Sequence, residues 1–140
     1  MAVHDWRTGT YAIDPHGRGN FNLQGEDLKG QPFTVVRYID TTATPLTASD
    51  EYKLFTVDAG VLVESIKIFI ATVEGETGTM QVGDDDPDEF SAAHDMEVAG
   101  IAALTLAYKY YGTANYIGIT PNHDLEDCKF YIIIDAIRLV

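Results

Sequence analysis

Hydrophobic and polar positions alternate along most of this chain with the two-residue period of strands, and that pattern begins near Phe33. Phe33 to Ile39 (FTVVRYI) is β-branched and aromatic, and Thr41–Thr44 with Pro45 breaks it. Tyr52 to Val57 follows, closed by an Asp58-Ala59-Gly60 turn. Val61 to Val73 reads as a long strand with Ile66, Ile68 and Ile70 on one face. Thr79 to Val82 is a short strand after the Gly75–Gly78 break, and Asn115 to Ile119 is another. Ile101 to Tyr111 (IAALTLAYKYY) holds Ala and Leu that suit a helix, but its alternation with Thr105 and Lys109 predicts a strand. Phe130 to Val140 ends the chain. The expected architecture is all-β: a jelly-roll-like β-sandwich of about seven to eight antiparallel strands.

The last strand is apolar on both faces, because Phe130, Ile132 and Ile134 alternate with Tyr131 and Ile133. A sandwich strand ordinarily shows polar residues to water on one side. The second face, with Tyr131, Ile133 and Ile137, is therefore expected to form an oligomer interface.

Residues 1–32 follow neither period. They contain five glycines and isolated large side chains, Trp6, Tyr11, Ile13, Phe21 and Leu23, too few for a core of their own. This predicts an extended N-terminal arm over 1–32 and a sandwich domain over 33–140. Fully extended, 32 residues reach at most roughly 105 Å, enough to cross a neighbouring subunit.

With 140 residues, one domain is expected. No apolar stretch approaches a membrane span, and the N-terminus lacks the basic and apolar regions of a secretory signal, so synthesis in the cytosol is expected. The net charge of −13 and the absence of a Lys/Arg cluster argue against duplex nucleic acid and anionic membrane as partners. Protein, sugar or a cation fits better. The single cysteine, Cys128, excludes an internal disulfide and is expected to pack near the last strand.

Candidate chemistry is sparse. Seven acidic residues fall between Asp84 and Glu97. Asp84, Asp86 and Asp88 have the spacing that opens an EF-hand loop, but the sixth position is Glu89 instead of Gly, and the twelfth is Asp95 instead of Glu. A solvated inter-strand turn is the expectation, with a calcium site of other geometry as the alternative. His4, His16, His94 and His123 are scattered, without ligand spacing. Crowded carboxylates in a hydrophilic loop are not the desolvated pair of a glycosidase, and no nucleophile motif surrounds Cys128. No catalytic residue, metal or cofactor is expected. Tyr108, Tyr110, Tyr111 and Tyr116 flank a glycine turn, where they either pack at an interface or form a sugar-stacking platform.

The run Leu54 to Val63, then Gly78-Thr79-Met80-Gln81-Val82-Gly83-Asp84, and Asp86-Pro87-Asp88-Glu89-Phe90, resembles the small structural proteins of tailed bacteriophages, among them capsid decoration, or cement, proteins. The resemblance covers roughly residues 52–96 and the final strand. It departs at Asp58, where such proteins often have Pro, and at Glu89, where they often have Gly. It implies a non-enzymatic virion protein on the capsid surface, a homotrimer bound to the major capsid protein. In that setting the arm would bury Trp6, Tyr11, Phe21 and Leu23 on capsid subunits and pair Arg7 and Arg18 with carboxylates there. Removing residues 1–32 is then expected to leave a folded domain that no longer binds heads. The alternative function is a carbohydrate-binding sandwich of a tail or fibre.

Overall fold

A computed structural model describes residues 1–7, 22–23, 30, 32–104 and 108–139, with the backbone alone at 22–23. Two sheets pack face to face. The strands are β1 (Val3–Asp5), β2 (Asn22–Leu23), β3 (Pro32–Asp40), β4 (Glu51–Val57), β5 (Val61–Thr72), β6 (Thr79–Gly83), β7 (Ser91–Asp95), β8 (Gly100–Ala103), β9 (Lys109–Tyr111), β10 (Asn115–Pro121) and β11 (Lys129–Arg138). The first sheet runs β1-β4-β10-β6-β7, with β2 also on β4; the second runs β3-β11-β5-β8, with β9 also on β5. When β1, β2 and β9 are set aside, eight strands remain. In chain order they fall 2-7-4-5 in one sheet and 1-8-3-6 in the other. That interleaving is a jelly roll, so the expected class holds, with eleven strands among the described residues where about seven to eight were expected.

The inward set follows from the alternation. Phe130, Ile132, Ile134 and Ala136 of β11 are buried, and so are Val61, Val63, Ile66, Ile68 and Ile70 of β5. The inward face of β5 changes from odd to even positions because an extra residue sits between Val63, opposite Ala136, and Ser65, opposite Asp135. Such a bulge keeps both halves of a long strand facing one core. Tyr52, Leu54, Phe55, Val57, Met80, Val82, Ile117 and Ile119 supply the other wall.

Three features differ from the sequence reading. Ile101 to Tyr111 is not one strand: β8 and β9 each pair with β5, and Tyr108 between them has φ 46°, which a continuous strand does not allow. Ser91–Asp95, read as part of the acidic loop, is a strand on β6. Finally, β1 and β2 pair with β4 in parallel, so not every pair is antiparallel.

Candidate interaction surfaces

The N-terminal residues lie on the body of their own chain. Val3, His4 and Asp5 pair with Glu51, Tyr52 and Lys53. His4 stacks on Tyr52 at 4.5 Å and meets Asp50 at 2.9 Å. Trp6 is only 8% exposed, edge-on to Tyr52 at 5.0 Å. The reason lies on β3. Arg37 occupies an inward position between Val35 and Ile39, and a buried guanidinium demands acceptors. Its Nη1 donates to the carbonyls of Trp6 (2.9 Å) and Leu54 (3.0 Å), and the guanidinium sits 5.9 Å from the Trp6 ring. The N-terminal strand thus solvates a buried cation. Arg7 is held by Asp5 at 2.8 Å and lies 5.6 Å from the Tyr116 ring, which Lys53 also covers at 4.3 Å. The Arg7 hydrogen bond pulls the Asp5 pKa down to about 2. Leu23 is on β2, opposite Val57. Tyr11, Arg18 and Phe21 lie outside the described residues.

Tyr131, Ile133 and Ile137 face outward from the second sheet, half-buried by their neighbours. Tyr131 is flanked by Tyr38 at 4.9 Å and Phe69 at 5.9 Å, and Phe69 lies opposite Ile101 of β8. The row Tyr38–Tyr131–Phe69–Ile101 therefore crosses four strands, ending on a side chain that is 62% exposed. Below it, Val36, Ile133 and Lys67 form a second row, then Thr34, Asp135 and Ser65 a third. Asp135 accepts from Thr34 (2.6 Å) and Ser65 (2.8 Å) and lies 3.3 Å from Lys67; these contacts hold its pKa down. The face is apolar at one end and polar in its middle. Tyr38, Phe69 and Ile101 were not singled out from the sequence, although the alternation of FTVVRYI already puts Val36 and Tyr38 opposite Arg37.

The acidic loop between β6 and β7 turns inward at its first residue. The Asp84 carboxylate is fully buried and accepts from Lys109 Nζ (2.7 Å), Tyr111 Oη (2.8 Å) and the Asp86 amide (2.9 Å). Burial alone would raise its pKa; these donors outweigh it and hold the group below the usual carboxylate range. Lys109 also meets Glu89 at 3.0 Å. Lys109 and Tyr111 belong to β9 and Asp84 follows directly on β6, so the contact ties the two sheets together. Asp85–Glu89 are exposed, as a solvated turn would be. Among the described residues no three His, Cys, Asp or Glu side chains are grouped to hold a metal.

The four tyrosines do not form one platform. Tyr111 is buried on Asp84, and Tyr116 lies under two cations on the first sheet. Tyr108 and Tyr110 stay exposed. Cys128 is buried with a free thiol, beside Thr41, and desolvation pushes its pKa up to about 12. His94 and Asp95 point to opposite faces of β7, as neighbours on a strand do.

No family model and no curated protein matches the chain. Solved structures do share its fold. The capsid of Ralstonia phage GP4 contains a chain that superposes with TM-score 0.64 at 14% identity, covering 99% of this chain and 99% of that one. The acidic stable capsid structure of Helicobacter pylori bacteriophage KHP30 gives 0.58 at 11%, covering 75% and 86%. The capsid asymmetric unit of cyanophage Pam1 gives 0.57 at 13%, covering 76% and 82%. The structural neighbours are thus phage capsid chains, and at these identities the likeness is one of fold.

Proposed function

We propose that this chain is a structural, non-enzymatic component of a tailed-phage virion, which decorates and stabilises the capsid from its outer surface. The observation that carries the reading is the end-to-end likeness, 99% of both chains, to a chain of a phage capsid. The sequence resemblance over residues 52–96 points the same way.

In this reading the protein is a homotrimer in contact with the major capsid protein, made in the host cytoplasm and carried on the virion. Neither nucleic acid nor membrane is a partner, in keeping with a net charge of −13. The outer face of the second sheet, with Tyr131, Ile133 and Ile137, packs copies together. The N-terminal segment reaches the capsid. Trp6 and Arg7 anchor it to its own body, Leu23 brings it back to β4, and Tyr11, Arg18 and Phe21 make the outward contacts. Many copies of a modest contact add through multivalency.

The test is the number of copies per purified particle, by gel densitometry against the major capsid protein. A ratio of the same order as the capsid protein supports decoration. A handful of copies moves the chain to the tail or fibre and favours sugar binding through Tyr108 and Tyr110. Absence from particles overturns the virion reading.

A further inference from the structure

The side of the sandwich away from the N-terminus is open. There β7 ends the first sheet and β8 the second, and among the described residues neither has a strand on its outer side. A cleft of about 440 Å³ lies between them, with Ile70, Phe90 and Leu104 in its lining. It exists because of two small residues. Gly100 and Ala102 pair with the inward-facing Ile70 and Ile68, so β8 brings at most one methyl group into the space.

The opposite wall carries an unmet polar group. Met80 pairs with His94 and Val82 with Ser91, three residues of β7 against two steps of β6. The extra residue makes a bulge, a device that re-aims side chains at sheet edges. It turns His94 inward, where Nε2 is buried with no hydrogen-bond partner among the described residues. A buried ring nitrogen left unpaired is costly and calls for an explanation.

The edge is equally unprotected. All four residues of β8 are exposed, with Ile101 at 62% and Val98 beside it at 63%. Natural edge strands are usually blunted by Lys, Pro or a covering loop, and β8 has no Lys or Pro. Asp95 lies in the lining, Asp88 and Glu97 flank β7, and among the described residues no Lys or Arg lines the cleft.

We propose that this cleft is a docking groove for an extended segment of a neighbouring capsid subunit, which adds a strand to β8. It seats an apolar side chain against Ile70, Phe90 and Leu104 and hydrogen-bonds His94 Nε2. Its Lys or Arg meets the acidic rim. Strand addition of this kind draws affinity from backbone bonds and specificity from alternate side chains. Charge favours this occupant: the rim carries Asp88, Asp95 and Glu97, which attract the basic side chains of an incoming segment.

The proposal rests on the capsid reading, and heads purified from a phage deleted for this chain test both. Full-length protein is added back and the bound fraction measured by co-sedimentation across a salt series. Ala102→Glu places a carboxylate in the groove; His94→Leu removes the unpaired nitrogen. Both are expected to bind heads at least tenfold more weakly. His94→Leu should melt no lower than wild type, because it deletes an unsatisfied group, and it carries the test if Ala102→Glu fails to fold. Wild-type binding should weaken as salt rises. Folded variants that bind heads as wild type does overturn the groove and leave decoration standing. If wild type is trimeric and Ala102→Glu monomeric, a second copy fills the cleft and the capsid segment is refuted. Wild-type protein absent from virions and unable to bind heads defeats the capsid reading itself.

Discussion

Replacing Trp6 by Ala tests whether the start of the chain is arm or body. In the structure the ring is 8% exposed, edge-on to Tyr52 and close to the Arg37 guanidinium. Truncating a buried Trp or Phe costs about 3–5 kcal/mol. Trp6 sits at the margin of the core, just past an edge strand, so the lower figure, about 3 kcal/mol, is the appropriate expectation. In a domain of this size each kcal/mol moves the midpoint by about 2–4 °C, which gives a drop of about 6–12 °C. Removing residues 1–7 should cost more, because Arg37 then loses the Trp6 carbonyl at 2.9 Å as well as the ring. Thermal unfolding followed by circular dichroism reads the shift. Trp6 is the only tryptophan, so fluorescence gives an independent check. Its emission should be blue-shifted and weakly quenched by acrylamide in the free protein, and neither should change on capsid binding. A midpoint unchanged within about 1 °C, with freely quenched emission, would refute the argument and return Trp6 to a capsid-contact role.

Asp84→Asn should destabilise the domain by about 1–3 kcal/mol, since it weakens the bond to Lys109, which itself retains Glu89 and part of its hydration. The pH profile has a definite sign: Asp84, Asp5 and Asp135 are held below their unfolded pKa values, so their stabilisation is complete above about pH 4 and is lost as pH falls through the folded values. Urea midpoints between pH 2 and 7 should show this fall, and Asp84→Asn should flatten it. Gly83→Ala would place a methyl 2.1 Å from the Asp86 carbonyl oxygen and 2.5 Å from the Pro87 backbone, so the β6–β7 turn must move, with a cost of about 3 kcal/mol read from the same melts. Cys128, with its thiol pushed up to about 12, should resist alkylation at pH 8 until denaturant is added.

The jelly roll was legible because most of its strands are long enough, or alternate strictly enough, to declare a period. Where no period declares the structure, there is a physical cause in each case. Ser91–Asp95 is short and bulged, and its alternation is broken by the extra residue between Ser91 and His94. Ile101 to Tyr111 kept a nominal alternation, but Tyr108 takes a left-handed turn that no periodicity reports. Asp84 looked like any other acid in a hydrophilic loop; only its proximity to Lys109, twenty-five positions later, makes it a buried pair. Arg37 was the most readable omission. It lies in register with Phe33, Val35 and Ile39, and a lone cation on an apolar face requires acceptors from somewhere. The Trp6 and Leu54 carbonyls provide them. The outward positions of Tyr131, Ile133 and Ile137 did follow from period two, whereas the row joining Tyr131 to Tyr38, Phe69 and Ile101 depends on cross-strand register.

The two sides of the sandwich are finished by opposite means, and the difference bears on assembly. On one side the edge of β4 carries β1 and β2, and Arg37 and Trp6 lock the first residues onto the core. On the other side small residues replace the side chains that would seal the sandwich. A bulge aims an imidazole into the gap, and β8 exposes Ile101 with no charged guard among the described residues. Among the described residues, a missing core volume, an unpaired buried nitrogen and an unguarded edge meet in one place. A chain that must fold alone and then join a shell has a reason for this arrangement. In the proposed docking, the sealed side would supply the stability of the free protein, and the open side would hold back apolar surface and hydrogen-bonding capacity for a partner segment. Substitutions on the sealed side should therefore lower the melting temperature of the free protein, and those in the cleft should act mainly on attachment.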